Sequence, residues 1–433
     1  MKRVFFLAGI IMLSCVVTAQ SFKQAFFNAD ISNFWKAYDK IRATTDTALQ
    51  RQLINDIYIR PGSAGLQELI RYRNYTDDDF LTMIRESPAF WKSLRSQTLN
   101  TEKLYPVIEM DIQKLKTLYP PLKPATVYLL IGAFRTSGTG ANGKVLIGSE
   151  YALAGPATNM ADLPQRFHAY YRDFKPRENL ALLCTHEYVH TQQNQPVDNL
   201  LSNCLSEGIA EFISCKATGI ASNTPAIAFG KLNTEKVVSQ YVKDLFVMFN
   251  DYNWIWGENR NEFRVRDLGY YIGYSIAERY YELSADKGKA IRELIELDYT
   301  NDAAVEHLVD TTRFLPKKLS ELYTDYDKSR PRVIALSPSI NGTKDVAPGL
   351  TRITVHFSEP LNGINTGIDF GPLGPDYFPK LSPVRVWSDD KRSITLEADL
   401  KPGKTYQFMI DNTFRREDQV RIKPFVVEFS TKE

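Results

Sequence analysis

The stretch LLCTHEYVHTQQ, residues 182–193, holds two of the chain's five histidines, four positions apart, with a glutamate directly after the first. On an α-helix, residues i and i+4 lie on one face, so His186 and His190 can turn both imidazoles toward one metal ion. Glu187 sits one residue round, where its carboxylate reaches a water on that metal. The surroundings favour a helix: Pro176, Arg177, Glu178 and Asn179 precede it, Leu180, Leu182, Leu183 and Val189 supply apolar contacts, and Pro196 ends it. Chance would produce one such HExxH in a chain of this composition at roughly 0.3%.

A catalytic zinc site normally takes three protein ligands and keeps one position open. The next segment, LLSNCLSEGIAEF (200–212), places Glu207 after 16 intervening residues and Glu211 one helical turn later. Ser202 or Asn203 is the expected cap of this second helix, Ile209, Phe212 and Ile213 its buried face, and Gly219 its end. Glu207 and Glu211 then share the opposite face, toward the first helix.

HEYVH followed by LSEGIAEF resembles the gluzincin metallopeptidases, in which a second helix supplies a glutamate as third zinc ligand. The resemblance implies His186, His190 and Glu207 as ligands of Zn2+. The spacing to Glu207 is slightly shorter than the aminopeptidase members use. The segments DLGYYIGYSIAERYY (267–281) and IGAFRTSGTGANGKVLIGSE (131–150) also resemble a family of uncharacterised predicted zinc-dependent proteases that includes bacterial gliding-motility lipoproteins, over about residues 25–325.

Roles follow from the chemistry. Zinc lowers the pKa of a water toward about 7 and polarises the scissile carbonyl, while Glu187 takes the proton and passes it to the leaving amine. Glu211 is the candidate for holding the free ring nitrogen of a ligand histidine, against a reading as a surface acid. Tyr274 and then Tyr270, one turn apart in GYYIGY, are candidates for stabilising the oxyanion, against helix packing beside Gly269 and Gly273. Glu150 is a candidate for meeting a substrate amine, on the expectation that the strand ending near it is the edge strand lining the cleft. Trp254 and Trp256 read as core rather than subsite walls.

Outward from this motif, the chain reads in four parts. Residues 1–19 follow the order of a secretory signal peptide, two basic residues, an apolar run from Val4 to Val17 and a small-residue end at Ala19, with a lipobox-like MLSC at Cys15 as the alternative that would tether the protein to a membrane. The expected location is periplasmic or extracellular. From 20 to 124 the apolar spacing is helical in ISNFWKAYDKI, LQRQLINDIYI and LYPVIEMDIQKLKTLY. Residues 125–330 form the expected zincin-like metallopeptidase core, opening on strands ATVYLLIGAF (125–134) and KVLIGSEYALA (144–154), with RTSGTGANG as the hairpin loop between them. Although GTGANGK has glycines and a lysine, it lacks the GxxxxGK[ST] spacing of a phosphate-binding loop.

Residues 331–433 carry short β-type runs, RITVHFS, VRVWS, SITLEAD, TYQFMI and FVVEFS, with turn residues between them. About seven strands in that length indicate a β-sandwich, and LSPSINGTKDVAPGLTRITVHFSEPL resembles the opening of bacterial Ig-like modules. The expected fold class is therefore α+β, a mainly helical zincin-like catalytic domain followed by an all-β Ig-like sandwich.

Lys+Arg 53 against Asp+Glu 51 leaves a net charge of +2 with no dense basic run, which argues against nucleic acid as a partner. A peptide or protein substrate and association with the cell envelope are the expected partners. Cleavage after Ala19 leaves Cys184, Cys204 and Cys215, an odd number, of which Cys204 and Cys215 are a candidate bridge.

Overall fold

A computed structural model describes residues 23–247, 251–257 and 263–433. The signal-peptide reading of 1–19 and Cys15 lie outside the described residues. Two compact units make up the chain, one from residues up to Leu163 together with Leu183–Thr191, the other from Pro164–Leu182 together with Gln192–Glu433.

The first unit begins with strand β1 (Ala25–Phe27) and six helices, α1 (Ala29–Arg42), α2 (Thr47–Ile54), α3 (Ala64–Arg73), α4 (Asp77–Glu86), α5 (Pro88–Thr98) and α6 (Tyr105–Leu118). Several helix starts are marked in the sequence. Asp46 accepts the Ala48 and Leu49 amides ahead of α2, Thr76 and Asp79 form a reciprocal capping box on α4, and Pro88 opens α5. The apolar faces converge on an aromatic core in which Phe34 packs against Trp91 at 4.9 Å and Tyr58 at 5.4 Å between ring centroids.

A four-stranded sheet ties this helical region to the next part of the chain. Strands β2 (Thr126–Leu130), β3 (Gly138–Ala141) and β4 (Lys144–Gly148) join β1 in the order β1-β2-β4-β3. β1, β2 and β4 run parallel, and β3 is antiparallel to β4. Because β1 pairs with β2, a boundary at residue 124 falls inside one unit.

Three expectations are corrected here. The strands 125–134 and 144–154 do not form a hairpin with each other, since β2 and β4 are parallel. The glycine-rich stretch between them is not a loop but contains β3, whose alternating glycines gave no strand pattern. β4 is interior, and the strand ends at Gly148 where helix α7 (Ser149–Ala152) begins, so the edge strands are β1 and β3.

The second unit contains α8 (Gln165–Phe174) and the start of α9 (Leu180–His190), which passes into the first unit at Leu183. It continues with α10 (Leu200–Thr218), α11 (Pro225–Leu232), α12 (Thr234–Asp244), α13 (Asp251–Trp254), α14 (Leu268–Leu283), α15 (Lys287–Ile295), α16 (Asp302–Thr312) and α17 (Leu319–Ser329). The cap of α10 is Asn199, whose side chain accepts the Ser202 amide, in place of Ser202 or Asn203, which are buried inside the helix. Gly219 ends it in the left-handed conformation at φ 77°, as its position predicts.

The C-terminal part of this unit is all-antiparallel. Strands β5 (Val333–Ser337), β6 (Gly349–Phe357), β8 (Lys380–Trp387) and β9 (Ser393–Leu400) form one sheet in the order β5-β6-β9-β8, while β7 (Ile368–Phe370), β10 (Thr405–Ile410) and β11 (Phe425–Ser430) form another in the order β11-β10-β7. Alternation is complete in β9, where Ile394, Leu396, Ala398 and Leu400 are buried and the residues between them are not. They pack with Ile353, Val355, Phe408 and Val427 into one core between the sheets. β5, bracketed by Pro331 and Pro338, adds a strand ahead of the β-type runs read from the sequence.

Candidate metal centre

The site is assembled on α9. Its two histidine rings lie edge to face with centroids 4.8 Å apart, and their Nε2 atoms are separated by 3.0 Å. Two ring nitrogens tolerate that convergence only with a proton or a cation between them. A carboxylate oxygen of Glu207, on α10, completes a group whose ligand atoms all lie within 4.8 Å of one another. Two imidazole nitrogens and a carboxylate oxygen are a donor set that tetrahedral zinc takes, so in its chemistry this group could hold a metal ion such as zinc. Among the described residues this is the one group of His, Cys, Asp and Glu so arranged.

Within the first unit, the sheet fixes the motif from one side. The Tyr188 hydroxyl accepts the Ala125 amide at 2.8 Å, tying the middle of α9 to the entrance of β2. β3 passes so close to the helix that side chains are excluded. A Cβ added to Gly138 would lie 2.5 Å from Glu187 Oε1, and one added to Gly140 would lie 2.1 Å from the Glu187 carbonyl oxygen and 2.7 Å from His190 Cβ. Glu187 is consequently 7% exposed, its carboxylate against bare strand backbone. Sequence reading missed both glycines, because GTG carries meaning only once the strand is known, when its alternate positions put both hydrogens on the same face.

In the second unit, the Trp256 indole N–H donates to Glu207 Oε1 at 3.4 Å. Glu211 is buried and is no surface acid. Its Oε1 accepts from the Ser222 hydroxyl and, at 3.3 Å, from the Thr224 hydroxyl. Tyr274 is buried on α14, edge to face with Phe212 at 5.6 Å and beneath the Lys231 ammonium at 4.9 Å. Burial, and next the Glu278 carboxylate, push its phenol pKa up. These contacts pack Tyr274 against its neighbours on α10 and α11. Tyr270 is half-buried in the first turn of the same helix.

Glu150 is corrected outright. It is 0% exposed, and its two oxygens accept the Gly132 amide at 2.9 Å and the Phe134 amide at 3.0 Å. It therefore shapes the loop leading into β3 and cannot meet a substrate amine. The Tyr58 hydroxyl and the Tyr75 hydroxyl bond the same loop at Ile131 and Gly132.

Burial pushes the Glu150 carboxyl up to about 8 despite those amides. A raised folded-state value means that the unfolded chain releases this proton first, so the group's contribution to stability is full below its ordinary value of 4.5 and declines as pH rises to about 8. Glu150→Gln places an N–H donor against a backbone N–H and costs about 1–3 kcal/mol. In thermal melts the advantage of the wild type over this variant should be largest near pH 5 and should shrink toward pH 8. A constant gap would show that Glu150 does not titrate in this range.

Cys184, Cys204 and Cys215 are buried free thiols, so the candidate bridge between Cys204 and Cys215 is absent. Both lie on α10, Cys204 against Gly269 of α14 and Cys215 about three turns farther on, and burial raises the pKa of each thiol. No helix among the described residues is long and apolar enough to cross a membrane.

Comparison with known proteins bears on the C-terminal part. No curated protein matches the chain. Two solved structures, the S-layer protein rSbsC(31-844) and the surface layer protein SbsC, domains 1-6, each align over 93% of this chain and 45% of their own at 12% identity and a TM-score of 0.18. The chain thus spans less than half the length of those structures, and a TM-score that low does not mark a shared fold. Residues 327–431 match the family model of the bacterial Ig-like domain Big_5. That match and the antiparallel strands β5–β11 agree, and this part of the chain is a bacterial Ig-like domain.

Proposed function

We propose that this protein is a zinc-dependent hydrolase, a gluzincin-type peptidase that cleaves peptide bonds with an activated water. The observation that carries the reading is the convergence of His186, His190 and Glu207 within 4.8 Å, with the Glu187 carboxylate on the same helix as the two histidines. Zinc bound there would act as a Lewis acid on the scissile carbonyl and on the attacking water. Glu187 takes a proton from that water and returns it to the leaving amine. Its near-complete burial against β3 limits its rotamers, so the carboxylate is oriented before substrate arrives. Tyr274 and Tyr270 are the candidates for meeting the oxyanion, and β3, an edge strand, is the element for extended substrate to pair with.

The Ig-like domain supports an exported, extracellular or periplasmic setting. It also favours a second reading, a non-catalytic cell-envelope or motility-associated binding protein on a zincin-like frame. One experiment separates the two. The purified mature protein should contain stoichiometric zinc and should cleave members of a peptide library, and a chelator should abolish cleavage until zinc is restored. Zinc without chelator-sensitive cleavage of peptides or proteins supports the binding reading, and absence of zinc even after reconstitution removes the ligand assignment.

A further inference from the structure

We propose that Trp256 is a positioning residue for Glu207, its indole N–H fixing the carboxylate orientation in which Glu207 serves as a metal ligand. The inference rests on the reading of His186, His190 and Glu207 as a zinc site.

The segment DYNWIWGEN (251–259) carries two tryptophans that the structure treats in opposite ways. Trp254 is fully buried and donates its indole N–H to Asp244 Oδ2 at 3.0 Å. Trp256 is 53% exposed, so burial of its large apolar surface does not account for its placement. What it has instead is the bond to Glu207 Oε1. An indole nitrogen is a donor only, so this contact requires an acceptor and holds one carboxylate oxygen in place, as the partners of metal-ligating carboxylates do.

The backbone is arranged to present that indole. Trp256 has φ +63°, a left-handed conformation that bulky residues rarely adopt. Asp267, at φ +59°, braces it: its backbone N–H donates to the Gly257 carbonyl at 3.1 Å. Conformations that cost energy persist where their surroundings over-determine them, and they cluster at functional sites. Here the clasp between residues 256–257 and the N-cap of α14 turns one side chain toward Glu207.

The test uses the full mature chain and zinc itself, with affinity measured by competition against a chromophoric chelator. Trp256→Phe keeps the ring and loses the N–H. It should raise the zinc Kd about 10–100-fold, with the circular dichroism and Tm of the zinc-free protein unchanged. Trp256→Gln, which restores a side-chain N–H, should recover part of the loss. In a Glu207→Ala background, Trp256→Phe should have no further effect on affinity, and wild-type tryptophan emission should change on zinc addition where that of Trp256→Phe does not.

Equal zinc affinity of wild type and Trp256→Phe overturns the inference, as does an undiminished Trp256→Phe effect in the Glu207→Ala background. If Trp256→Phe does not fold, Trp256→Gln decides alone: a loss of more than about 100-fold there gives the N–H no role. A wild type that binds no zinc is a different failure, because it removes the site reading itself.

Discussion

Glu187→Gln is expected to leave the zinc content and Tm of the protein where they are and to lower peptide hydrolysis about 10²–10⁴-fold, the range for loss of a general base. The substitution suits this position because the side chain is wedged against β3. Its Oε1 occupies the space that a Gly138 Cβ would contest at 2.5 Å, so glutamine of the same shape keeps the packing and removes only the basicity. Truncation to alanine would be harder to read, since it empties that space and frees the strand. The proposed ligands His186 and His190 flank Glu187 on α9, so metal retention has to be measured in the same preparations. Zinc per chain, Tm and kcat/KM, each for wild type and variant, decide the matter. Hydrolysis undiminished in a fully metallated Glu187→Gln would falsify its role as base, and loss of zinc together with activity would make Glu187 a member of the metal site instead.

Legibility in the sequence tracks the range of the interactions involved. Helix α9 and its two histidines are local features: spacing of three and four residues fixes their common face whatever surrounds them. The third member, Glu207, was legible because α10 is a long helix with a helix-ending glycine, and a helical phase carries from Asn199 to Gly219. The placement of Glu150 was not, because its environment is made by residues far off in the chain. Tyr58, just beyond α2, and Tyr75, just beyond α3, close over the same loop, and the amides that Glu150 accepts belong to a turn whose shape the sequence does not dictate.

The sheet shows the same division. β2 and β4 read as strands from their apolar residues, yet their parallel pairing follows from β3, which reverses the chain between them, and the sheet is completed by β1, a three-residue strand far upstream of its partner β2. β3 carries glycine, threonine, glycine and alanine, with no apolar alternation to detect, and becomes a strand because its backbone has to lie against α9. In the Ig-like domain, by contrast, long strands such as β9 alternate cleanly, and those were visible. The oxyanion candidates show a related limit: tyrosines one turn apart on α14 are equivalent in sequence, and the surroundings of Tyr274, formed by Phe212, Lys231 and Glu278, emerge only in the fold.

Gly273→Ala should be the most damaging of the small substitutions, and the reason lies in how α10 is held. The helix that carries Glu207 packs on α14 through glycines on both sides. A Cβ on Gly273 would lie 1.8 Å from the Cys204 carbonyl oxygen, and one on Gly208 would lie 2.1 Å from the Tyr274 backbone nitrogen. Neither obstacle is the end of a flexible side chain, so the helix axes must move apart, and Ile209, Ala277 and their neighbours lose packing along the whole contact. Overpacking of this kind costs about 3 kcal/mol or more, which lowers Tm by about 10 °C in a unit of this size. Gly288→Ala provides the opposite sign. That glycine is on α15, where a Cβ would meet nothing nearer than Asp286 Oδ1 at 3.5 Å, and the lower backbone entropy of alanine should stabilise by about 0.5 kcal/mol. The two variants make the same chemical change in helices of one unit. If their melting temperatures move together, close backbone contact does not hold α10 against α14; if Gly273→Ala falls while Gly288→Ala rises, the helix bearing Glu207 is fixed by the absence of two side chains, and displacing it should weaken zinc binding in proportion to the lost stability.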